Sequence, residues 1–241
     1  MGSDTDNAGM ATRGIHNELL AAMPRKAYDA LAPALAPVTL VFGDVLYAAG
    51  APITHVYFPC DSMLSLLLPV ENHLDIEVGL VGREGMVGAS LSLGIAHSPV
   101  KALVQGAGSA LRLSAAGFRR ELARNPALQR AVNRYIDSLM KQITQTAACN
   151  RFHVVEARLA RWLLMTRDRM RSPKFRMTHE FLSHMLGVRR VGVTEAASSL
   201  QRQKLIEYTR GNISILDEPG LEAACCGCYG IVKSIALPVL S

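Results

Sequence analysis

Aromatic residues are scarce in this 241-residue chain: they make up 5% of it, with a single tryptophan, so its core must rest on aliphatic side chains and methionine. No apolar run reaches the roughly 20 residues of a membrane-spanning helix. Residues 1–15 lack the basic start and apolar centre of a secretory signal and are expected to form a disordered lead-in. We therefore expect a cytoplasmic protein that has no membrane partner.

Common enzyme motifs are missing as well. The sequence contains no HxH-plus-glutamate cluster, no GxSxG and no Walker lysine after its glycines. These patterns are typical of metal-dependent oxygenases, serine hydrolases and P-loop enzymes. We therefore expect no catalytic residues.

The cysteines do not have the spacing of a disulfide framework or of an ordinary zinc site. The segment LEAACCGCYG, in a tail over residues 221–241, lacks paired CxxC spacing. We expect reduced thiols, no metal ligands and a structural or incidental tail, with a metal or redox role as the alternative. The five cysteines are Cys60, Cys149, Cys225, Cys226 and Cys228.

Charge is distributed unevenly along the chain. Residues 1–111 carry 5 Lys and Arg against 10 Asp and Glu, whereas residues 112–210 carry 20 against 7. A strongly basic second half suggests a polyanionic partner, although a solvated helical surface has the same composition.

The first half reads as a β-rich domain over residues 16–124. After helical spacing in residues 16–36, short β-rich runs from Val38 to Leu113 are separated by Gly, Pro or Asx residues, which favours a jelly-roll β-barrel. In HLDIEVGLV, Asp75 and Glu77 alternate with Leu74, Ile76 and Val78, as on a half-exposed strand.

Residues 125–150 predict one long helix. Its apolar residues recur every three or four positions, so they form one stripe. This stripe suits packing on its own domain or the seam of a homodimer, and we favour the dimer. The predicted interface residues are Leu128, Val132, Tyr135, Leu139 and Ile143.

Residues 151–220 contain the pattern of a winged helix-turn-helix. Thr178 is a plausible N-cap, and Gly187 supplies the turn between two helices. The second helix, from about Arg189 to Lys204, has an inner face of Val193, Ala197 and Leu200. The segment EYTRGNISIL then alternates about a Gly-Asn turn, as in a small β-hairpin wing.

An α-helix fits the major groove of DNA, and the residues at its N-terminal end meet the base edges. Arg189 and Arg190 stand at that end, where arginine can grip guanine or a phosphate, while Arg202 and Arg210 suit phosphates. The predicted DNA-binding residues are Thr178, His179, Arg189, Arg190, Val191, Gly192, Thr194, Glu195, Ser198, Arg202 and Arg210.

The stretch THEFLSHMLGVRRVGVTEAASSLQRQKLI resembles the helix-turn-helix of the Crp–Fnr superfamily of bacterial transcription regulators. VYFP (56–59), VGREGMVG (81–88) and the order of the parts extend the resemblance from about residue 25 to 216. It implies an α+β fold with a sensor barrel similar to cyclic-nucleotide-binding domains, a dimerisation helix and a winged helix-turn-helix. Its implied partners are double-stranded DNA, a second copy of the chain and RNA polymerase.

The resemblance also implies an unusual operator. In members that read TGTGA-type half-sites, an arginine-glutamate pair begins the recognition helix. Arg190 matches the arginine, but Val191 stands at the glutamate position and Glu195 replaces a further base-reading arginine.

By the same resemblance, VGREGMVG falls where cyclic-nucleotide sensors bind the phosphate. Those sensors add an arginine near GIAHSPVKALVQ (94–105), and this chain has none between Arg83 and Arg112. A buried phosphate without a paired cation is unfavourable, so we expect little or no cyclic AMP binding. The predicted effector pocket comprises Arg83, Glu84, Gly85, Met86, Val87, Gly88 and Lys101.

The effector and any cofactor stay open at this point. Haem binding through His55, His73 or His97 is one alternative, although lone histidines on a β scaffold are more often ordinary surface or core residues. A cupin-like metal enzyme and a ligand-binding protein with a non-functional helix-turn-helix are the other readings of the whole chain.

Overall fold

The computed structural model describes residues 16–71 and 75–236. The strands are β1 Ala36–Leu40, β2 Val45–Tyr47, β3 His55–Pro59, β4 Met63–Leu68, β5 Ile76–Val81, β6 Lys101–Gly106, β7 Gly108–Ser114, β8 Lys174–Arg176, β9 Ile206–Thr209 and β10 Asn212–Ile215. The α-helices are α1 Glu18–Ala21, α2 Arg25–Leu31, α3 Ala115–Arg124, α4 Pro126–Phe152, α5 Val155–Met170, α6 His179–Leu186, α7 Arg190–Arg202, α8 Glu218–Ala224 and α9 Cys228–Ala236. Short 3-10 turns lie at Ala32–Ala34 and Ala89–Leu93.

Two antiparallel sheets face one another in the first half of the chain. One has the order β1-β7-β3 and the other β2-β6-β4-β5. Only residue 107 separates β6 from β7, so the chain passes directly from one sheet to the other. Aliphatic side chains and a few aromatics, among them Phe58 and Phe118, fill the space between the sheets. The predicted β-rich fold with a long helix and a helix-turn-helix is confirmed.

Most of the stripe predicted as a dimer seam lies inside the protomer. Leu128 and Val132 are fully buried and Tyr135 is 4% exposed, all three within the core of the β domain. Leu139 also packs on that core, and Ile143 lies half-buried beside it. The dimer prediction is therefore wrong for the first three residues, because the pattern that marked them reports packing of α4 on its own sheets.

Strand β5 is covered on both faces rather than half-exposed. Helices α4 and α6 pack against it, and the indole Nε1 of Trp162 on α5 donates a hydrogen bond to Glu77 at 2.9 Å. Glu77 is only 6% exposed, so its predicted exposure is wrong. The alternation of polar and apolar residues suggested one exposed face. Glu77 instead faces a second core, formed by β4, β5 and the helical domain. Leu74 lies outside the described residues.

The wing has three strands in the order β8-β10-β9. Its hairpin turns at Arg210 and Gly211, both with positive φ, so the predicted Gly-Asn turn is displaced by one residue. A two-residue turn with this backbone suits the twist of a tight hairpin. Strand β8 follows Pro173, where the sequence predicted only a break.

The chain continues past the wing into α8 and α9, which pack against α5 and α4. The Ser138 hydroxyl on α4 donates to the carbonyl of Ile235 on α9 at 3.4 Å. None of the helices within the described ranges is both long and apolar enough to cross a membrane.

Candidate nucleic-acid interface and sensor cavity

The first helix of the helix-turn-helix is fixed at both ends. The Thr178 hydroxyl accepts the backbone N–H of Phe181 at 3.1 Å and so caps α6. At the other end Gly187 adopts φ 59 and ψ 43, and its N–H donates to the carbonyls of Ser183 and His184. Glycine takes this left-handed conformation without strain, which explains its place in the turn.

Helix α7 presents two different faces. Val193 and Leu200 are fully buried and Ala197 is 3% exposed, as the spacing predicted. Opposite them lies a solvent-exposed face that begins with two arginines. Its exposed members are Arg189, Arg190, Val191, Thr194, Glu195, Ser198 and Arg202, with Gly192 half-buried and Arg210 exposed at the tip of the wing.

His179 is occupied within the protein. Its ring stacks on Tyr208 with centroids 4.1 Å apart, and its Nδ1 lies 3.0 Å from the Thr194 hydroxyl. Burial, together with the positive charge of Arg190, lowers the pKa of His179. The side chain therefore joins α6, α7 and the wing, and its neutral form is favoured. Thr178 is exposed, but its hydroxyl serves the α6 cap.

Three further basic residues flank this surface and were not predicted. Lys174 and Arg176 are exposed on β8, beside the wing hairpin, and Lys204 is exposed just after α7. The sequence shows these charges, but it did not reveal that β8 joins the wing sheet. Their side chains extend the basic surface that α7 and Arg210 form.

A cleft of about 1040 Å³ separates the start of α7 from the β domain. Arg189 and Arg190 line one wall, and Asp75 and Ile76 line the other. At the floor the domains touch, because a Cβ on Gly187 would lie 2.9 Å from the Ile76 Cδ1 atom. The β domain thus borders the basic end of α7.

A second inter-domain contact joins two aromatic rings. Phe42 of the β domain and Phe181 of α6 have ring centroids 6.1 Å apart, tilted by 45°. Phe42 is nevertheless 52% exposed, so the contact covers only part of its ring. The helix-turn-helix therefore rests on the β domain through small, partly solvated contacts near the cleft.

The charged groups that were predicted to form the effector pocket are paired with residues outside it. The guanidinium of Arg83 lies 2.7 Å from the Glu18 carboxylate on α1, and Lys101 pairs with Asp75. The Glu84 carboxylate accepts from Arg169 on α5 at 2.8 Å. These side chains do not converge on one ligand site, so a pocket built from them is wrong. Segment 81–88, the cassette segment, faces the helices instead.

A small cavity does lie beside the cassette segment. Its volume is about 120 Å³, and Met86, Val87 and Gly88 contribute to its lining. Gly85 does not line the cavity. It packs against the ring of Tyr135, and a Cβ added to Gly85 would overlap that ring. The remaining lining residues carry no positive charge: Tyr47, Ile53, Leu66, Val78, Ala89, Ser90, Ser98, Pro99, Val100, Leu139 and Ile143.

This cavity does not suit a cyclic nucleotide. Ser98 lines it in the segment where cyclic-nucleotide sensors carry a phosphate-binding arginine, and its hydroxyl donates to the carbonyl of Val100 at 2.6 Å. His55 and His97 are not among its lining residues, and His73 lies outside the described residues. The cavity is small and mostly apolar, so a bulky anion has neither room nor a counter-charge there.

Four side chains that sequence reasoning left apart come together at the end of α4. Cys149 and His153 lie next to Cys226 and Cys228, with one potential ligand atom of each within 4.8 Å of the others. The sequence alone did not bring these four residues together because the two halves of the group are more than seventy residues apart in the chain. The local signals were the spacing of Cys149 and His153, one helical turn, and the closeness of Cys226 and Cys228 in the segment LEAACCGCYG.

Comparisons with known proteins agree with this architecture. Residues 157–224 match the family model described as the Crp-like helix-turn-helix domain. No curated protein sequence matches the chain. Residues 157–224 therefore form a helix-turn-helix domain of the Crp-like kind.

Solved structures extend the likeness to the whole fold. A Crp/Fnr-family protein from Eubacterium rectale, described as a transcriptional regulator, is 16% identical, with 86% of this chain and 96% of that one covered and a TM-score of 0.67. The c-di-GMP responsive global regulator CLP of Xanthomonas campestris is 14% identical, with 80% and 100% covered and a TM-score of 0.67. FixK2 from Bradyrhizobium japonicum is 12% identical, with 80% and 98% covered and a TM-score of 0.67.

Proposed function

We propose that this chain, a protein of the Crp/Fnr type, is a transcription regulator that binds a near-palindromic DNA operator as a homodimer. The observation that carries the proposal is the exposed, basic outer face of α7 in a complete winged helix-turn-helix. A signal other than cyclic AMP, received at the β domain, would control binding. Its other partner would be RNA polymerase, and its location the cytoplasm.

The outer face of α7 offers a distinct set of base contacts. Arg190 suits the two acceptors of guanine, and the exposed carboxylate of Glu195 suits the amino group of cytosine. Val191 is 60% exposed, which suits a thymine methyl group. Arg189, Arg202 and Arg210 suit phosphates, which position the helix without reading sequence. We infer an operator that differs from the TGTGA type.

The free face of α4 supports a dimer through a seam that shares only Ile143 with the predicted stripe. Met140 is 63% exposed near the middle of this face, flanked by the half-buried Ile136 and Ile143 and followed by the exposed Ala147. Their spacings of four, three and four match a two-helix seam. Helix α9 covers another face, through Ser138 and Gln145, so this seam stays open.

Control of binding would act through the contacts around the cleft. With the β domain beside Arg189 and Arg190, a DNA duplex at the start of α7 would come close to Asp75 and Ile76 across the cleft. We infer that the described arrangement is a resting state. A signal that favours separation would raise the population able to bind DNA.

The test is selection of binding sites from random DNA, followed by affinity measurements over a range of salt concentrations. We expect a two-fold symmetric site with half-sites about 34 Å apart and an affinity that falls steeply with salt. Light scattering should give twice the chain mass, and Met140→Glu should yield monomers with weakened operator binding. Failure to enrich any sequence, with salt-insensitive binding, would contradict the proposal.

A further inference from the structure

The C-terminal end of α4 and the chain from Cys226 to the first residue of α9 bring together three thiols and an imidazole. The Cys149 and Cys226 sulfur atoms lie 3.5 Å apart, and the Cys228 sulfur lies 3.5 Å from Nδ1 of His153. The backbone N–H of His153 donates to the carbonyl of Cys149 at 3.1 Å, which fixes these two residues one helical turn apart.

The two 3.5 Å separations match the edges of one small tetrahedron, and all four ligand atoms lie within 4.8 Å of one another. With Zn–S bonds of about 2.3 Å and Zn–N bonds of about 2.0 Å, the ligand atoms of a tetrahedral site are about 3.5–3.8 Å apart. A disulfide requires sulfur atoms about 2.05 Å apart, closer than the two sulfurs here. A multi-iron cluster spreads its ligands more widely, because they are divided among two or more irons. One mononuclear ion fits best.

The charges around the group also favour an anionic metal centre. Arg158 and Arg161 on α5 are 6% and 4% exposed, and both lie within electrostatic range of Cys149. Neither forms an ion pair with a carboxylate in the described part of the chain, and the Nε atom of each lacks a hydrogen-bond partner. Three thiolates on a divalent ion carry a net negative charge, which would offset part of the positive charge of these buried arginines.

Two neighbours distinguish ligands from bystanders. The Gln145 amide donates to the Cys228 sulfur at 3.0 Å, as an outer hydrogen bond to a metal-bound thiolate would. Cys225 is adjacent to Cys226 in sequence, but its thiol donates to the carbonyls of Glu222 and Cys226. It therefore points away from the group and provides a matched control.

We propose that Cys149, His153, Cys226 and Cys228 bind one Zn²⁺ ion in a closed structural site. The ion joins the end of α4 to the chain from Cys226 to the first residue of α9 and so holds the C-terminal helices against α4 and α5. Cys149, Cys226 and Cys228 are largely buried, while the exposed imidazole of His153 borders solvent and gives the ion a path of entry. This site is independent of DNA recognition.

The first test measures zinc in the full chain, purified without chelators, by elemental analysis and by competition with a chromophoric zinc chelator. We expect one zinc per chain. Cys226→Ser and Cys228→Ser should each weaken zinc binding by at least about ten-fold. Gln145→Ala should weaken it less than either of these variants. Cys225→Ser should keep the wild-type affinity. An equal loss in Cys225→Ser would overturn the proposed ligand set.

The second test uses the unmodified protein, so it holds even where a variant does not fold. X-ray absorption at the zinc edge should show three sulfur ligands at about 2.3 Å and one nitrogen ligand at about 2.0 Å. The proposal is overturned by a chain that takes up no zinc in competition, by iron with acid-labile sulfide in anaerobically purified protein, or by a Cys149–Cys226 disulfide in freshly prepared protein.

Discussion

The Nε atom of Arg169 on α5 donates to the Glu84 carboxylate of the cassette segment at 2.8 Å, and the side chains are only 8% and 15% exposed. The same Glu84 oxygen accepts the backbone N–H of Gly82 at 3.1 Å, which holds the carboxylate in place. A loop of the β domain is thus tied directly to α5, the helix that precedes the helix-turn-helix.

We expect removal of one partner of this pair to destabilise the chain strongly. Glu84→Gln should lower the free energy of unfolding by about 2 kcal/mol, because the Arg169 charge is left buried without a counter-ion. Arg25→Ala, which breaks the exposed pair with Asp29, should cost less than about 0.5 kcal/mol. Chemical denaturation measures the loss in free energy of unfolding for both variants. Equal small losses would show that the pair of Glu84 and Arg169 is solvated.

Glu77 should make stability depend on pH. Burial raises its pKa from 4.5 to about 7, although hydrogen bonds from Ser65 and Trp162 oppose the rise. The carboxyl group is therefore harder to ionise in the folded chain than in the unfolded one. The stability that the protonated Glu77 carboxyl group contributes to the fold is fully present below pH 4.5 and is lost as pH rises through about 7.

The matching variant is Glu77→Gln, which keeps the shape of the side chain and removes the ionisation. Above pH 7 we expect the variant to be more stable than wild type by up to about 3 kcal/mol, with the difference shrinking toward zero near pH 4.5. Denaturation at several pH values measures this difference. A stability difference that does not change with pH would contradict the assignment.

Arg190 and Arg202 should have separable effects on DNA binding. Arg190→Ala should cost about 1–3 kcal/mol on the selected operator and relax the preference at one base position. Arg202→Ala should weaken specific and non-specific binding alike and reduce the salt dependence. Affinities on operator and scrambled DNA separate the two, and parallel losses in both variants would make Arg190 a phosphate contact.

Loosening the contact between Phe42 and Phe181 should favour DNA binding in the absence of a signal. Because such a ring pair contributes about 0.5–1.5 kcal/mol, Phe42→Ala should raise operator affinity by about two- to ten-fold. Leu93→Ala is a suitable control, since Leu93 is 62% exposed on the β domain. Unchanged or weaker binding by Phe42→Ala would show that the contact does not restrain the helix-turn-helix.

Cyclic AMP should not act as the effector. The 120 Å³ cavity beside the cassette segment has no cationic lining residue, and Arg83 is engaged by Glu18. Calorimetric titration should therefore give no saturable heat at micromolar nucleotide, and operator affinity should not change. Tight binding would require the cavity to enlarge and recruit a cation, which a structure of the complex would reveal.

Local chemistry in the sequence was sufficient to predict the helix-turn-helix. The Thr178 cap, the Gly187 turn and the inner face of α7 depend on short-range patterns, and all three occur where expected. The short β-rich runs likewise indicated the barrel. These features are predictable because neighbouring residues determine them.

Features that depend on distant partners were missed or misassigned. An apolar stripe does not tell which surface covers it, so Val132 and Tyr135 could be assigned to a dimer although they face their own β domain. Glu77 looked exposed because its partner, Trp162, lies 85 residues further along the chain. The group of Cys149, His153, Cys226 and Cys228 was not recognised for the same reason, because Cys226 and Cys228 lie more than seventy residues further along the chain than Cys149 and His153.

Helix α4 contacts the sheets of its own barrel on one side and α9 on a second side, and its third side is the open seam at Met140. A second copy joined at that seam would bring two α4 helices together with an α9 helix on each flank. The assembled layer would contain four helices, two from each chain. Truncation of the tail would then uncover the outer flanks of the dimer while its central seam stayed intact.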